Sequence, residues 1–189
     1  MEPRIDKFDE EYRQMVARYI RDNNPAVFHN ETIKHAKDII VQFLDTAELS
    51  VEIMTGTMAE VFYFDPQLQD AFRRAALRLG ENAIKIITIN APKEDVERIR
   101  EITRKLNENA SKHTIEYRPA KYNGQADKLR HIMLVDEKRY RWEFPHPQFS
   151  DVPQNVSAEV SCFAPQVVAE RKEFFNKLWN LLGGVPVGA

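Results

Sequence analysis

The chain has 189 residues, of which 43% are hydrophobic, enough for one well-packed core and few for two domains. With 30% charged residues and a formal net charge of −2, its overall charge selects no class of partner. The single cysteine, Cys162, excludes an internal disulfide bond, and no apolar stretch reaches the roughly 18 residues that a membrane span needs. We therefore expect a cytoplasmic protein that makes no membrane contact.

The N-terminal part of the chain is predicted to be helical. Residues Asp6 to Asp22 carry apolar side chains on one stripe, and Asn23-Asn24-Pro25 ends that helix. Asn30 is expected to cap a second helix, in which Ile33 to Leu44 repeat apolar residues at helical spacing. Residues 1–29 are therefore predicted to form an N-terminal helical arm.

Strands and helices are predicted to alternate after the second helix. Asp65 followed by Pro66 is typical of a helix start, because proline in the first turn loses no hydrogen bond that the helix needs. The predicted elements are strand Leu49–Thr55, helix Asp65–Leu79, strand Ala83–Ile89, helix Lys93–Leu106, strand Thr114–Arg118, a β-hairpin, strand Ser157–Phe163 and helix Gln166–Leu182. This order predicts an α/β fold: a mixed sheet with parallel β-α-β units, an antiparallel hairpin and helices on both faces. Residues 30–182 would form this domain, and residues 183–189 a flexible tail.

The hairpin is the part of the sequence around which a site can be predicted. Leu129 to Asp136 has the apolar, β-branched body of a buried strand but contains one histidine, His131. Asp136-Glu137-Lys138 forms the turn, and Arg139 to Glu143 alternates charged and aromatic residues at strand period. Alternation predicts that the two arginines of this second strand share one side and its two aromatic residues share the other.

The hairpin resembles the central motif of the phospholipase D superfamily. That motif has the pattern HxKxxxxD on the first strand, followed along the hairpin by G-S-x-N. With the aspartate aligned on Asp136, Leu129 takes the place of the family's histidine and His131 that of its lysine. The glycine, serine and asparagine fall at Glu143, Phe144 and His146. The chain therefore resembles a degenerate member, and the Phe-Phe-x-x-Leu-Trp run of the last helix adds to the likeness.

The resemblance implies that His131, Glu143 and His146 lie at positions of a catalytic cleft, with Asp136 as the fourth candidate site residue. Two histidines and a carboxylate can bind a metal or act as an acid–base set, but the chain has no H-E-x-x-H signature and we expect no cofactor. In the family the histidine is the nucleophile that attacks phosphorus. Leu129 cannot perform that step.

A second candidate site is a strip of basic residues along the exposed rim of the hairpin, with tyrosines interleaved among them. Basic and aromatic side chains together can follow a phosphate backbone and stack bases. Alternatively, the arginines of this strip would contact acidic residues of a partner subunit, including its N-terminal arm, since the first sixty residues of the chain carry an acidic excess. The residues predicted to bind phosphate or a partner are Arg118, Lys121, Lys128, Arg130, Arg139 and Arg141.

Two function classes follow from these patterns. The first is a catalytically inactive phospholipase D-like domain that binds a protein partner, or a phosphate-containing ligand such as nucleic acid. The second is a divergent phosphodiester hydrolase or nuclease that uses His131, Glu143 and His146. The resemblance also implies a homodimer, because relatives with one motif per chain pair to complete a site. It implies a prokaryotic or phage source as well.

Overall fold

A computed structural model describes residues 7–56, 65–108, 110, 112–121, 130–144 and 157–183. Within these residues the chain forms five helices and seven strands. They are α1 (Lys7–Arg21), β1 (Val27–Asn30), α2 (Ile33–Thr46), β2 (Val51–Thr55), α3 (Pro66–Arg78), β3 (Ile84–Ile89), α4 (Lys93–Glu108), β4 (Ile115–Ala120), β5 (Ile132–Val135), β6 (Arg139–Glu143), β7 (Ala158–Ser161) and α5 (Pro165–Gly183).

The seven strands form one mixed sheet in the order β1-β7-β6-β5-β2-β3-β4. Strands β2, β3 and β4 are parallel, as expected for strands joined by the crossover helices α3 and α4. All other neighbours are antiparallel, including the β5–β6 hairpin. The predicted mixed α/β architecture is confirmed.

Each face of the sheet carries its own apolar cluster. Alternation on β2 directs Ile53 to one cluster and Met54 to the other. The larger cluster lies under helices α1 to α4, and the smaller one lies under α5, which contributes Val168, Phe175 and Trp179. Helices therefore lie on both faces, as predicted. Among the described residues, no helix is both long and apolar enough to cross a membrane.

The start of the sheet differs from the prediction at Asn30. Val27–Asn30 is an edge strand paired with β7, and Thr32 caps α2 by accepting a hydrogen bond from the His35 amide. The predicted Asn30 cap is therefore wrong. Thr32 caps the helix because its backbone is extended, which directs its hydroxyl to the amide of His35, three residues later in the chain. The predicted Asp65 cap with proline at the first helical position is confirmed for α3.

The hairpin turn is tight and uses two residues with left-handed backbone. Asp136 has φ 54° and Glu137 has φ 59°, the signs that the two central residues of a type I′ turn have, and the Lys138 amide closes the turn on the Val135 carbonyl at 3.2 Å. The Asp136 carboxylate accepts hydrogen bonds from the amides of Glu48, Leu49 and Ser50 at 2.8–3.2 Å. The turn is thereby fixed to the connection between α2 and β2.

Candidate functional site

A row of polar side chains crosses the sheet at the carboxyl ends of β2 and β3, on the face that carries α1 to α4. We call it the polar row; its members are Asn30, Thr55, Thr88, His131 and Glu143. Thr55 pairs with Thr88 in register, and Thr55 Oγ1 shares a hydrogen bond of 2.5 Å with His131 Nδ1. The Glu143 amide donates to the His131 carbonyl at 2.9 Å. Carboxyl ends of parallel strands are where open α/β sheets bind ligands.

Glu143 in this row is held by a buried ion pair. Arg141 Nη1 lies 2.9 Å from Glu143 Oε2, and Arg141 Nε donates to Asn30 Oδ1 at 3.1 Å. The three residues are 6%, 3% and 0% exposed for Glu143, Arg141 and Asn30. Buried charges persist when they are paired and hydrogen-bonded, and both conditions hold here. The carboxylate is therefore neutralised by its neighbour and occupied by a structural contact.

The structure brings together two of the four predicted catalytic residues. His131 and Glu143 are opposed across the β5–β6 ladder, and His131 is half-buried. Asp136 lies five residues further along the chain, about 16 Å away at strand spacing. Its carboxylate accepts hydrogen bonds from three backbone amides and forms an ion pair of 3.6 Å with Arg139. His146 lies outside the described residues.

Two residues of the predicted basic strip are not on a rim at all. Arg139 and Arg141 are each 3% exposed, so their expected solvent exposure is wrong. Arg139 Nη1 donates to the Thr46 carbonyl and hydroxyl at 3.2 and 3.0 Å, where α2 ends and its last carbonyls lack helical partners. The predicted alternation is confirmed: both arginines face the α1–α4 side, and Tyr140 and Trp142 pack against the α5 cluster.

The other predicted basic residues lie in separate environments. Arg118 donates to the Trp179 carbonyl at 2.7 Å and its guanidinium lies 3.9 Å from the Trp179 ring centroid. Lys121 is exposed at the end of β4, and Lys128 lies outside the described residues. Arg130 contacts the ring of Trp142 rather than another basic residue of the set. The described members therefore do not form one continuous strip.

Sequence reasoning missed the partners that hold the polar row together. Asn30, Thr55 and Thr88 come from three strands that are distant in sequence, and only the strand order brings them to His131 and Glu143. One signal was present: Thr55 and Thr88 each stand near the end of a predicted buried strand, a position where polar residues collect at sites. Within the described residues, no group of three His, Cys, Asp or Glu side chains could hold a metal ion.

The fold that carries this row is phospholipase D-like. No protein-family description matches the sequence, and no curated protein matches it either. Solved structures do match the fold. NUC from Salmonella typhimurium, a phospholipase D family member, has a TM-score of 0.58 at 15% identity, over 83% of this chain and 95% of that chain. NucT from Helicobacter pylori has a TM-score of 0.52 at 12% identity, over 82% and 97%.

A third match is TrmBL2, an archaeal chromatin protein whose structure shows a novel mode of DNA binding. Its TM-score is 0.56 at 18% identity, and the match covers 92% of this chain. The chain spans 60% of the length of the TrmBL2 chain. At these identities the likeness defines the fold, and function has to be argued from the site.

Proposed function

We propose that this chain is a phospholipase D-like domain that has lost phosphodiester hydrolysis and acts as a binding or regulatory homodimer. Its ligand would be a protein partner or a phosphate-containing molecule. TrmBL2, which shares the fold, binds DNA, and we extend nucleic acid to this chain as part of the proposal. A cytoplasmic location fits the single thiol, since Cys162 is free and buried.

One observation supports the loss of catalysis: the side chains of Glu143 and His131, at the carboxyl ends of β2 and β3, are engaged in structural contacts. Glu143 is paired with Arg141, and His131 Nδ1 is hydrogen-bonded to Thr55. A nucleophile must be able to reach phosphorus with a lone pair, and the position that the family motif gives to its nucleophile is Leu129. Without the covalent step, the mechanism loses most of its rate advantage.

The alternative function is a divergent phosphodiester hydrolase or nuclease built on His131 and Glu143, with His146. The observation in its favour is that His131 and Glu143 are cross-strand neighbours at the carboxyl ends of the parallel strands. An imidazole beside a carboxylate is the arrangement of a general base with its orienting group. The ion pair between Arg141 and Glu143 argues against this alternative, because it occupies the carboxylate that would orient His131.

Hydrolysis of bis-p-nitrophenyl phosphate, with and without divalent metals, tests the loss of catalysis. We expect the wild-type chain to show no turnover above the level of His131→Ala. His113→Ala is the matched control, because His113 is an exposed histidine two residues before β4 and outside the polar row. Turnover that disappears in His131→Ala and persists in His113→Ala would establish the hydrolase instead.

The homodimer is tested separately from catalysis. Light scattering at micromolar concentration should give twice the chain mass of 22.1 kDa. The expectation comes from the resemblance, since one hairpin motif supplies half of a two-motif cleft. A monomer at that concentration would remove the homodimer from the proposal and leave the question of hydrolysis to the assay above.

A further inference from the structure

The face of the sheet that carries α5 is only partly covered. Helix α5 packs on β2, β4 and β6, and the side chains of β1 on this face are exposed, with Val27 at 53%. His29 is exposed on the same face, and Phe144, directly after β6, is 37% exposed. This partly exposed surface with its aromatic rings lies on the opposite face of the sheet from the polar row.

Planar side chains form a continuous series on this surface, which we call the planar row: Arg171, Trp142, Arg130, Phe144 and His29. The Arg171 guanidinium carbon lies 3.6 Å from the Trp142 ring centroid, and that of Arg130 lies 5.4 Å from it. Arg130 is also 5.8 Å from the ring of Phe144. Phe144 stacks on His29 with centroids 6.1 Å apart and an interplanar angle of 23°.

The two arginines of the planar row are weakly compensated. Arg130 has no ion pair with any residue that the structure describes. The carboxylate paired with Arg171 is that of Glu159, at 4.0 Å, and Glu159 also accepts the hydrogen bond of the Tyr140 hydroxyl. Burial lowers the pKa of the Arg171 guanidinium, so the surroundings disfavour its charge. An added anion would offset that cost.

Two donors within the planar row have no acceptor among the described residues. Arg171 Nη1 and Trp142 Nε1 are both buried and make no hydrogen bond. Buried donors without partners are uncommon in folded proteins, because each one forfeits its hydration. Oxygen acceptors brought by a ligand would satisfy both, given a small opening of the side chains that now cover them.

We propose that the planar row binds single-stranded nucleic acid, with bases stacked on Phe144 and His29 and backbone phosphates at Arg130 and Arg171. This assignment rests on the proposed function and names its ligand. Exposed rings accept unstacked bases, which a duplex does not offer, and guanidinium planes add stacking surface as well as charge. An acidic peptide would use the arginines but would leave the rings of Phe144 and His29 without a partner.

Fluorescence anisotropy with labelled twelve-residue strands of deoxythymidine and of uridine tests the assignment. We expect binding of one or both strands, with weaker binding of a duplex of equal length. Phe144→Ala should weaken binding about fivefold or more, the value of one stacked base. Arg130→Gln should reduce the log–log salt slope by about 0.7, the value for one phosphate contact on a single strand.

Matched controls separate the planar row from general effects of substitution. Phe174→Ala removes a phenylalanine that is 52% exposed on α5, and Arg18→Gln removes an arginine that lies 6.0 Å from the ring of Tyr19 on α1. Both should bind the strands as the wild type does. Thermal unfolding followed by circular dichroism identifies any variant that has lost its fold, and Arg130→Lys then replaces Arg130→Gln, with retained charge and weaker stacking.

Three results obtained with a strand that does bind would overturn the assignment. They are equal affinity for single strand and duplex, unchanged binding in both Phe144→Ala and Arg130→Gln, and displacement of the strand by poly-glutamate at equal charge. Absence of strand binding would also overturn it, and would leave the loss of hydrolysis and the homodimer standing on their own assays. Preference for uridine over deoxythymidine, or the reverse, identifies the source of the strand within the supported outcome.

Discussion

Asp136→Ala tests whether the Asp136 carboxylate stabilises the hairpin turn or is a catalytic group. Asp136→Ala removes one carboxylate that accepts from the amides of Glu48, Leu49 and Ser50 and that faces Arg139 at 3.6 Å. The side chains of this ion pair are 1% exposed for Asp136 and 4% for Arg139. The substitution therefore leaves a buried guanidinium without its counter-charge.

The magnitude follows from these contacts. A hydrogen bond to a charged group contributes about 1.5–3 kcal/mol, but Glu48 and Leu49 are exposed, so water can replace part of what their amides lose. Breaking one side of a buried ion pair costs about 3–5 kcal/mol. We expect Asp136→Ala to lower the free energy of unfolding by about 3–5 kcal/mol, a large part of the ~5–15 kcal/mol that a domain has.

Urea unfolding followed by circular dichroism measures this effect, with two comparisons. Asp136→Asn keeps an acceptor oxygen for the amides and should cost less than the alanine change, since asparagine also tolerates left-handed backbone. Glu137→Gln alters the neighbouring exposed ion pair with Lys172 and should change stability by under about 1 kcal/mol. If Asp136→Ala unfolds within about 1 kcal/mol of the wild type, the reasoning about this carboxylate is refuted.

Three further predictions concern single groups. Glu137→Gly should raise the free energy of unfolding by up to about 1 kcal/mol in the same urea experiment, because glycine relieves the φ of 59° at the turn. Cys162 should not react with a disulfide reagent at pH 8 in the folded protein, since burial raises the pKa of its thiol to about 12; rapid reaction without denaturant would contradict its burial. Burial, followed by the hydrogen bond to Glu159 and its charge, raises the pKa of Tyr140 to about 12. The folded protein holds the Tyr140 phenol proton more tightly than the unfolded chain does. The free energy of unfolding that this difference contributes is therefore fully present below about pH 10 and is lost as the pH rises towards 12. Tyr140→Phe should make the free energy of unfolding fall less over this pH range, and a pH profile identical to that of the wild type would refute the prediction.

The sequence predicted the architecture well because its strongest signals are local. The apolar strand Ile84–Ile89, the proline-started helix α3 and the hairpin each carry their pattern within a few adjacent residues. Strand β1 was not predicted from the sequence, because Val27–Asn30 has four residues, too few to show alternation, and lies between two helices. Its place in the sheet depends on pairing with β7, more than 120 positions later in the chain.

The site was predicted less completely, for a related reason. Spacing along one hairpin was enough to bring His131 beside Glu143, because both belong to the same antiparallel pair. The burial of Arg139 and Arg141 could not be read in the same way, since charged residues are exposed by default. Their partners, Thr46 and Asn30, lie 93 and 111 positions away and meet them only in the folded chain.

The central claim is a domain that binds nucleic acid without cleaving it, and one sample can test both parts. A labelled single strand is incubated with the protein and a divalent metal, its anisotropy is recorded, and the same sample is then run on a denaturing gel. We predict a bound strand of unchanged length, in the wild type and in His131→Ala alike. A strand that is shortened by the wild type and left intact by His131→Ala would contradict the account.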